Sequence, residues 1–300
     1  MEQIAAIVVT YNRKDLLHQC VEKLLAQQNV TCDILIVDNA STDGTGAEFL
    51  TLAEHQPHLF YRNTGANLGG AGGFNFGVRW AVEAGYSYLW LMDDDTLPCP
   101  NALAELWNAH EQLQGNYGWL SSIVLWLDGT ECKINRPKLK KRFYKYIHLL
   151  KYGIIQAEQA TFVSLFLKRE TVYNVGLPIK EFFIWGDDIE YTRRIAVRFN
   201  KDSFVVGASQ VIHAMKENNG NNIATDSYGR IERYKYAFRN EGFLYRKEGI
   251  KGMTYYLARC LKAMFQILNV SESFKIKRIT VLLNAMFHSF FFMPNIEKID

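Results

Sequence analysis

The sequence predicts an α/β fold, a mostly parallel sheet flanked by helices, followed by a helical C-terminal region. Three observations carry that prediction. Apolar runs at residues 4–9 (IAAIVV) and 33–37 (DILIV) flank an amphipathic stretch at 15–27, the strand–helix–strand pattern of a right-handed parallel unit. A further buried-strand run, Leu89 to Met92, ends in three consecutive carboxylates, Asp93, Asp94 and Asp95. From about residue 228 the apolar positions recur at helical spacing.

Composition sets the outer bounds. Across 300 residues, 48% hydrophobic content and 14% aromatics exclude a disordered chain and allow a large core. The net charge of +3 conceals an asymmetry: residues 230–300 carry 13 Lys/Arg against 6 Asp/Glu, or +7, which leaves −4 for residues 1–229. We therefore divide the chain into an acidic body at 1–227 and a basic helical region at 228–300. The latter is expected to serve membrane-interface, packing or subunit contacts. Five cysteines without CxxC or metal-type spacing suit a reducing compartment. With no leader pattern and no apolar run near ~20 residues, the expectation is a cytoplasmic protein, at most peripheral at the inner face of the membrane.

The first strand delivers Thr10, Tyr11 and Arg13 past its carboxyl end, and the second delivers Asp38. Ligands of open parallel sheets sit beyond those ends, so Thr10, Asp38 and Asp93 converge on one edge. Ser41 or Thr42 is placed to cap the following helix. Residues 65–77 then hold six glycines before a helix that runs through Val78 and Trp80. Glycine admits close backbone approach to a ligand, and a helix N-terminus favours phosphate. The spacing is not GxxxxGK[ST] and does not follow the first strand, which argues against a P-loop and a dinucleotide fingerprint.

Residues 101–113 read as a helix, and 119–127 and 161–168 as strands. Residues 133–151 hold eight Lys/Arg and no acid, interleaved with Phe143, Tyr144 and Tyr146. This stretch reads as a solvated face, a mobile loop over the site, or a contact with phosphate-bearing lipid. No nucleic-acid-binding pattern accompanies it, so nucleic acid is not an expected partner. Ser203–Val206 with Val211-Ile212 reads as a short hairpin ending at His213. Helices are expected at 230–247, 251–268 and 274–292.

Three acids at the end of a buried strand raise one another's pKa and resist desolvation. A hard divalent cation, Mg2+ or Mn2+, is the usual compensation; the plain alternative is an acidic turn capping a helix. Asp187 and Asp188 follow the run Phe182-Phe183-Ile184-Trp185-Gly186. They are either N-terminal caps or acids delivered to a cleft, where one takes a proton from a hydroxyl. Arg193 and Arg194, one to two turns on, are expected to hold the local acids in place. His213 is a lone histidine of a kind more often structural, but its strand-end position makes it a candidate ligand.

Four segments in order, VVTYNR (Val8 to Arg13), VDNASTDGT (Val37 to Thr45), LMDDDT (Leu91 to Thr96) and WGDDIEYTRR (Trp185 to Arg194), resemble the family 2 inverting glycosyltransferases of the Rossmann-like GT-A fold. The resemblance spans roughly residues 3–215. The wording NLGGAGGF, DDDT and WGDDIEY is most similar to the bacterial galactofuranosyltransferase branch, though rhamnosyltransferases share the outline. It implies that Thr10, Tyr11, Arg13 and Asp38 line the nucleotide pocket and that Asn67 and Gly70 lie along the nucleotide sugar. Asp93 and Asp95 would then face a Mn2+ or Mg2+ ion and the donor diphosphate, with Asp94 beside them. His213 matches a further metal ligand. Asp188 matches the catalytic base, Asp187 assists with hydroxyls, and Trp185 lies on the acceptor side. Gly186 departs from some relatives directly before the acid pair.

The reaction so implied is metal-dependent, inverting transfer from a UDP-sugar, best matched by UDP-galactofuranose, to a hydroxyl of a glycan or lipid-linked glycan in cell-surface polysaccharide synthesis. Alternatives are transfer from dTDP-rhamnose or a UDP-hexopyranose, a nucleotidyltransferase, and a non-catalytic carbohydrate-binding protein. The nucleotidyltransferase has no evident use for Trp185–Arg194. The intact acid sets argue against loss of catalysis.

Overall fold

The structure, a computed structural model, describes residues 3–299. Its strands are β1 (Ile4–Thr10), β2 (Asp33–Asp38), β3 (Leu59–Asn63), β4 (Tyr88–Asp93), β5 (Thr96–Pro98), β6 (Leu120–Leu125), β7 (Lys138–Leu139), β8 (Ile154–Gln159), β9 (Leu165–Lys168) and β10 (Ser203–His213). They form one sheet in the order β3-β2-β1-β4-β9-β6-β10-β8-β7, with β5 paired to β10. The first four strands are parallel, as the buried apolar runs require. β9 enters antiparallel beside β4, and the second half of the sheet is mixed. α1 (Lys14–Leu25) and α4 (Ala102–Gln112) bury Leu17, Leu24, Leu103 and Leu106 on one sheet face. α3 (Gly69–Glu83) buries Phe74 and Val78 on the other.

Several local expectations change. The glycine-rich segment is not a loop preceding a helix, because α3 begins at Gly69 and contains four of the later glycines. A Cβ on Gly73 would lie 2.5 Å from Val9 Cγ1, and one on Gly77 2.5 Å from Ile7 Cγ2. These glycines bring the helix directly onto β1 and β2. α2 (Thr45–His55) is capped by neither Ser41 nor Thr42; Asp43 Oδ1 accepts from the Thr45 amide and hydroxyl instead. The expected hairpin at 203–212 is a single strand, β10, with a register shift between Val206 and Gln210. It stays extended because β6 flanks it throughout while its other edge changes partner, from β8 at Ser203–Val206 to β5 at Val211–His213. β8, which periodicity did not reveal, completes that edge.

The basic segment 133–151 is no free lid. Its Lys138–Leu139 strand adds to the sheet margin, and Lys138 pairs with Glu158. Lys140 and Lys145 pair with Asp202, which also accepts from the Tyr146 hydroxyl.

α5 (Arg169–Val175) and α6 (Asp187–Arg193) precede β10. After it come α7 (Tyr228–Ile231), α8 (Tyr234–Lys247), α9 (Gly249–Val270) and α10 (Lys275–Phe291), close to the expected spans. Tyr256, Cys260, Ile267 and Leu282 form their shared core. Among the described residues no helix is long and apolar enough to cross a membrane.

Gly77→Ala should destabilise the fold by about 1–3 kcal/mol despite alanine's better helix propensity, because the added methyl overpacks Ile7 and Val37. Gly70→Ala, with nothing within 4 Å of its Cβ, should stay within about 1 kcal/mol of the parent. Urea midpoints of the two variants check the contrast.

Candidate functional site

The carboxyl ends of β1, β2 and β4 place Thr10, Asp38 and Asp93 on one edge, as anticipated. Thr10 Oγ1 donates to Asp94 Oδ2 at 2.7 Å, and Arg13 Nη1 reaches Asp94 Oδ1 at 3.2 Å and Asp95 Oδ2 at 2.6 Å. From the far side, His213 Nε2 stands 3.0 Å from Asp95 Oδ1. The ring is oriented by Asn135, whose Oδ1 lies 2.8 Å from His213 Nδ1 and whose amide donates to Thr161 Oγ1. Residues far apart in sequence thus meet around the acidic triplet.

The electrostatics follow from burial. Burial pushes Asp93 up to about 7, assisted by the Asp95 charge and opposed by His213. Burial also raises Asp94, to about 6, against the pull of Arg13. Asp95 is held below the ordinary carboxylate range: its burial is outweighed by His213 and Arg13. Burial disfavours charge on His213, but the hydrogen bond to Asp95 and contact with Cys132 carry it up to about 10.

Other predicted residues occupy the rim. Tyr11 is exposed, and Asn12 joins its loop to the next by accepting from the Thr42 amide at 2.7 Å. Asp38 is wholly buried, its carboxylate taken up by the Tyr61 hydroxyl and the Ser41 amide, so it braces the rim from within. Asn67 Oδ1 accepts from Gly69 N at the start of α3, and Gly70 faces open space.

Asp187 and Asp188 open α6 behind Gly186, which has φ +89°. Asp187 is buried and Asp188 partly so. Burial raises Asp187 well above its ordinary value, with the Asp188 charge and the Asp93 charge adding to it. Burial raises Asp188 to about 6, eased by the Ile189 amide that it accepts at 2.7 Å. The loop before this pair is joined to the strand-end edge through α3, whose Ala71 amide donates to Phe183 O at 3.1 Å. Arg194 does hold a local acid, Glu190, but neither Arg193 nor Arg194 holds Asp187 or Asp188. Arg193 binds Glu248 and Glu158, and Arg194 binds Glu190 and the carbonyls of Val175 and Leu177. Helical spacing put these arginines near the right helix, but their side chains turn to its buried side.

Three asparagines escaped the sequence reading. Asn135 orients His213 as described. Asn39, buried, donates to Gly69 O at 3.0 Å, while its Oδ1 has no partner among the described residues. Asn240, on α8 and fully buried, donates from one amide to the carbonyls of Phe182, Ile184 and Trp185 at 2.8–3.3 Å. That loop needs holding. Phe183 has φ 64° and ψ −62° with Ile184 N bonded to Phe182 O, a strained γ-turn, and Trp185 has φ 64°. Lone asparagines in a helix or loop carry no spacing signal that marks such a role. Trp185 meets Tyr234 edge-on at 5.1 Å, with Arg230 over its ring.

Among the described residues no three His, Cys, Asp or Glu side chains are closed around a common point as a preformed metal cage. The donor chemistry nonetheless fits a hard divalent ion: carboxylates of Asp93 and Asp95 with the Nε2 of a histidine oriented from behind. Asp93 is the acid whose buried charge is least compensated by hydrogen bonds.

The sequence model "Glycosyl transferase family 2" matches residues 5–153. Galactofuranosyltransferase GlfT1 of Mycolicibacterium smegmatis is 27% identical over 203 residues, 65% of each chain. GlfT1 of Mycobacterium tuberculosis H37Rv is 29% identical over 220 residues, 65% of this chain and 64% of that one. The chain thus spans about 65% of the length of these relatives. An undecaprenyl-phosphate mannosyltransferase of Micrococcus luteus is 37% identical over 109 residues, 36% of this chain and 44% of its own. The crystal structure of GalNAc-T7 with UDP, GalNAc and Mn2+ superposes with a TM-score of 0.60 at 12% identity, over 87% of this chain and 55% of that one, a likeness of fold. The matched segment, which carries Thr10, Asp38 and the Asp93–Asp95 triplet, is a glycosyltransferase family 2 domain, and the chain has the GT-A fold.

Proposed function

We propose that this chain transfers a galactofuranosyl group, with inversion, from UDP-galactofuranose to a hydroxyl of a glycan or lipid-linked glycan. The observation that carries the reading is the bond from the Ala71 amide to Phe183 O at 3.1 Å, which, with Asn39 donating to Gly69 O, ties the loop before Asp187–Asp188 to the strand-end edge that holds the Asp93–Asp95 triplet. The galactofuranosyl donor is supported by likeness to the two GlfT1 proteins. The shorter match to the undecaprenyl-phosphate mannosyltransferase favours a second reading, hexopyranosyl transfer to a polyprenyl phosphate.

In this reading Thr10, Tyr11, Arg13 and the loop braced by Asp38 hold the nucleotide, and Asn67, Gly70 and Asp94 line the path of the donor. Asp93, Asp95 and His213 would hold Mn2+ or Mg2+, which when bound offsets diphosphate charge. Burial and mutual repulsion divide the proton between the paired acids: Asp187 keeps it and Asp188 gives it up. Asp188 then takes the proton of the acceptor hydroxyl as its oxygen bonds to the anomeric carbon and the bond to the nucleotide breaks on the opposite face. Asp187, protonated, can donate to a sugar hydroxyl. Trp185 supplies an apolar wall for the acceptor, and Asn240 fixes the loop that presents all three. We also propose that residues 1–227 form the nucleotide-sugar and catalytic unit, with 228–300 bracing its acceptor side.

Asp188→Asn should lower kcat about 10²–10⁴-fold while nucleotide affinity stays near that of the parent. Because the base works deprotonated, kcat/KM should fall about tenfold per pH unit below about 6 and level off above it. A flat profile across pH 5–7 would remove Asp188 from the role. Asp95→Ala should weaken nucleotide binding in Mn2+ but not in EDTA, read by calorimetry. Asn240→Ala strands the carbonyls of Ile184 and Trp185, while Phe182 O keeps the Ile184 amide, and should cost about 1–3 kcal/mol of stability, with kcat lowered more than KM is raised. The donor is identified by nucleotide release from UDP-galactofuranose, UDP-galactopyranose, UDP-glucose and dTDP-rhamnose with Mn2+, Mg2+ or EDTA; release from UDP-glucose alone would refute the galactofuranosyl reading.

A further inference from the structure

α9 and α10 pack through Tyr256, Cys260, Ile267 and Leu282, yet each keeps a second apolar stripe that no part of the chain covers. On α9 the stripe runs Ile250, Leu257, Leu261, Phe265 and Leu268, positions seven, four, four and three residues apart that lie along one line of the helix. Ile250 is 84% exposed, Leu261 72% and Phe265 66%. On α10 it runs Ile276, Leu283, Phe287, Phe290 and Phe291, with Ile276 83% and Phe291 70% exposed. A monomer that lives free in water does not keep two such stripes bare, since contiguous apolar surface on this scale marks a binding face.

The charges around the stripes decide the occupant. α9 and α10 together contain six Lys/Arg and no Asp or Glu. Arg259 and Lys277 are spent on Glu241 and Glu232, and Arg278 turns inward to the carbonyls of Ser273, Ile223 and Asp226. Lys251 and Lys262 remain outside any ion pair among the described residues, and so does Lys275, whose ammonium donates to Leu268 O at 2.9 Å at the exposed end of the connecting turn. Lys251 and Lys262 sit about a quarter-turn from the α9 stripe, so they border it rather than oppose it. Glu272 lies in the connecting turn. A second copy docked on the same face would set these lysines against themselves. A layer with an apolar interior and a negative surface would satisfy both features.

We propose that the α9–α10 face is a docking surface for an anionic phospholipid bilayer, with the two stripes seated at the headgroup–acyl boundary and Lys251, Lys262 and Lys275 meeting lipid phosphates. It stands on these helices alone and does not depend on the donor assigned above.

The test is sedimentation of the full chain with vesicles of phosphatidylglycerol and phosphatidylcholine mixed, and of phosphatidylcholine alone, beside light scattering of the protein without lipid. The expected result is a monomer that partitions onto the anionic vesicles and is released by raised salt. Leu261→Gln with Phe265→Gln should cut partitioning tenfold or more, and each of Lys251→Gln and Lys262→Gln about fivefold. All four sites are exposed, so melting curves should match the parent, and nucleotide release in solution should be unchanged. Absence of sedimentation with anionic vesicles would overturn the proposal. So would equal binding to neutral vesicles that ignores the lysine variants. A dimer that the Leu261/Phe265 variant dissociates, without vesicle binding, would assign the face to a second copy.

Discussion

The constraint on which the rest of the structure depends is the set of three carboxylates packed at the end of β4. Their mutual repulsion is unfavourable in a buried site, and the surrounding chain is arranged to offset it. Arg13 comes from the loop after β1, His213 from the end of β10, and Thr10 from the end of β1. β5, which begins at Thr96 straight after the triplet, pairs with β10 so that Thr96 lies opposite His213. The short strand thereby fixes the distance between Asp95 and its histidine, and the Ala214 amide donates to Asp95 O at 2.8 Å to complete the lock. Cys132 and Asn135 then close the second side of the imidazole.

A second set of contacts ties this edge to the acid pair on α6. Gly69 has φ +70° and stands so close to Phe183 O that a Cβ would lie 2.0 Å from it. The Ala71 amide donates to that same carbonyl at 3.1 Å. The N-terminus of α3 and the strained loop before Asp187 are therefore one interlocked unit, and Asn240 from α8 grips the loop from the opposite side. The energy of the γ-turn at Phe183 is sustained because hydrogen bonds from two helices over-determine it. C-terminal helices and sheet edge together hold Asp187 and Asp188 in place, and Glu248 adds a bidentate clamp on Arg193.

Much of this was legible in the sequence. Continuous β-branched runs announced β1 and β2, and strand-end acids announced the edge where they converge, because a buried parallel strand has little other use for a terminal carboxylate. Helical periodicity located α8, α9 and α10 closely. What stayed hidden lacked a local signature. The glycines of α3 read as ligand-approach positions, whereas Gly73 and Gly77 serve helix-on-sheet packing, which depends on Val9 and Ile7 across a tertiary contact. β10 read as two strands since Gly207-Ala208-Ser209 is turn-like, and only its neighbours β6, β8 and β5 keep it straight. The basic segment read as a solvated face, a mobile loop or a lipid contact because Asp202, its partner, is remote in sequence.

The acids also set a balance between stability and chemistry. An acid whose folded pKa lies above its unfolded value holds a proton that the unfolded chain has already released. Its contribution to stability is therefore full below the unfolded value and is lost as pH rises through the folded one. Asp188 at about 6, Asp94 at about 6 and Asp93 at about 7 all act in this direction, and Asp187 does so too. Asp95 acts oppositely: lowered by His213 and Arg13, it stabilises above its unfolded value and loses that contribution in acid. One paired carboxylate does not offset four raised ones, so near neutral pH the fold carries electrostatic strain concentrated where the two acid sets face each other. A chain selected for stability alone would replace Asp93 or Asp187 with an amide. Keeping both concentrates negative charge beside the strand ends, where the Asp93 charge adds to the rise that burial imposes on Asp187.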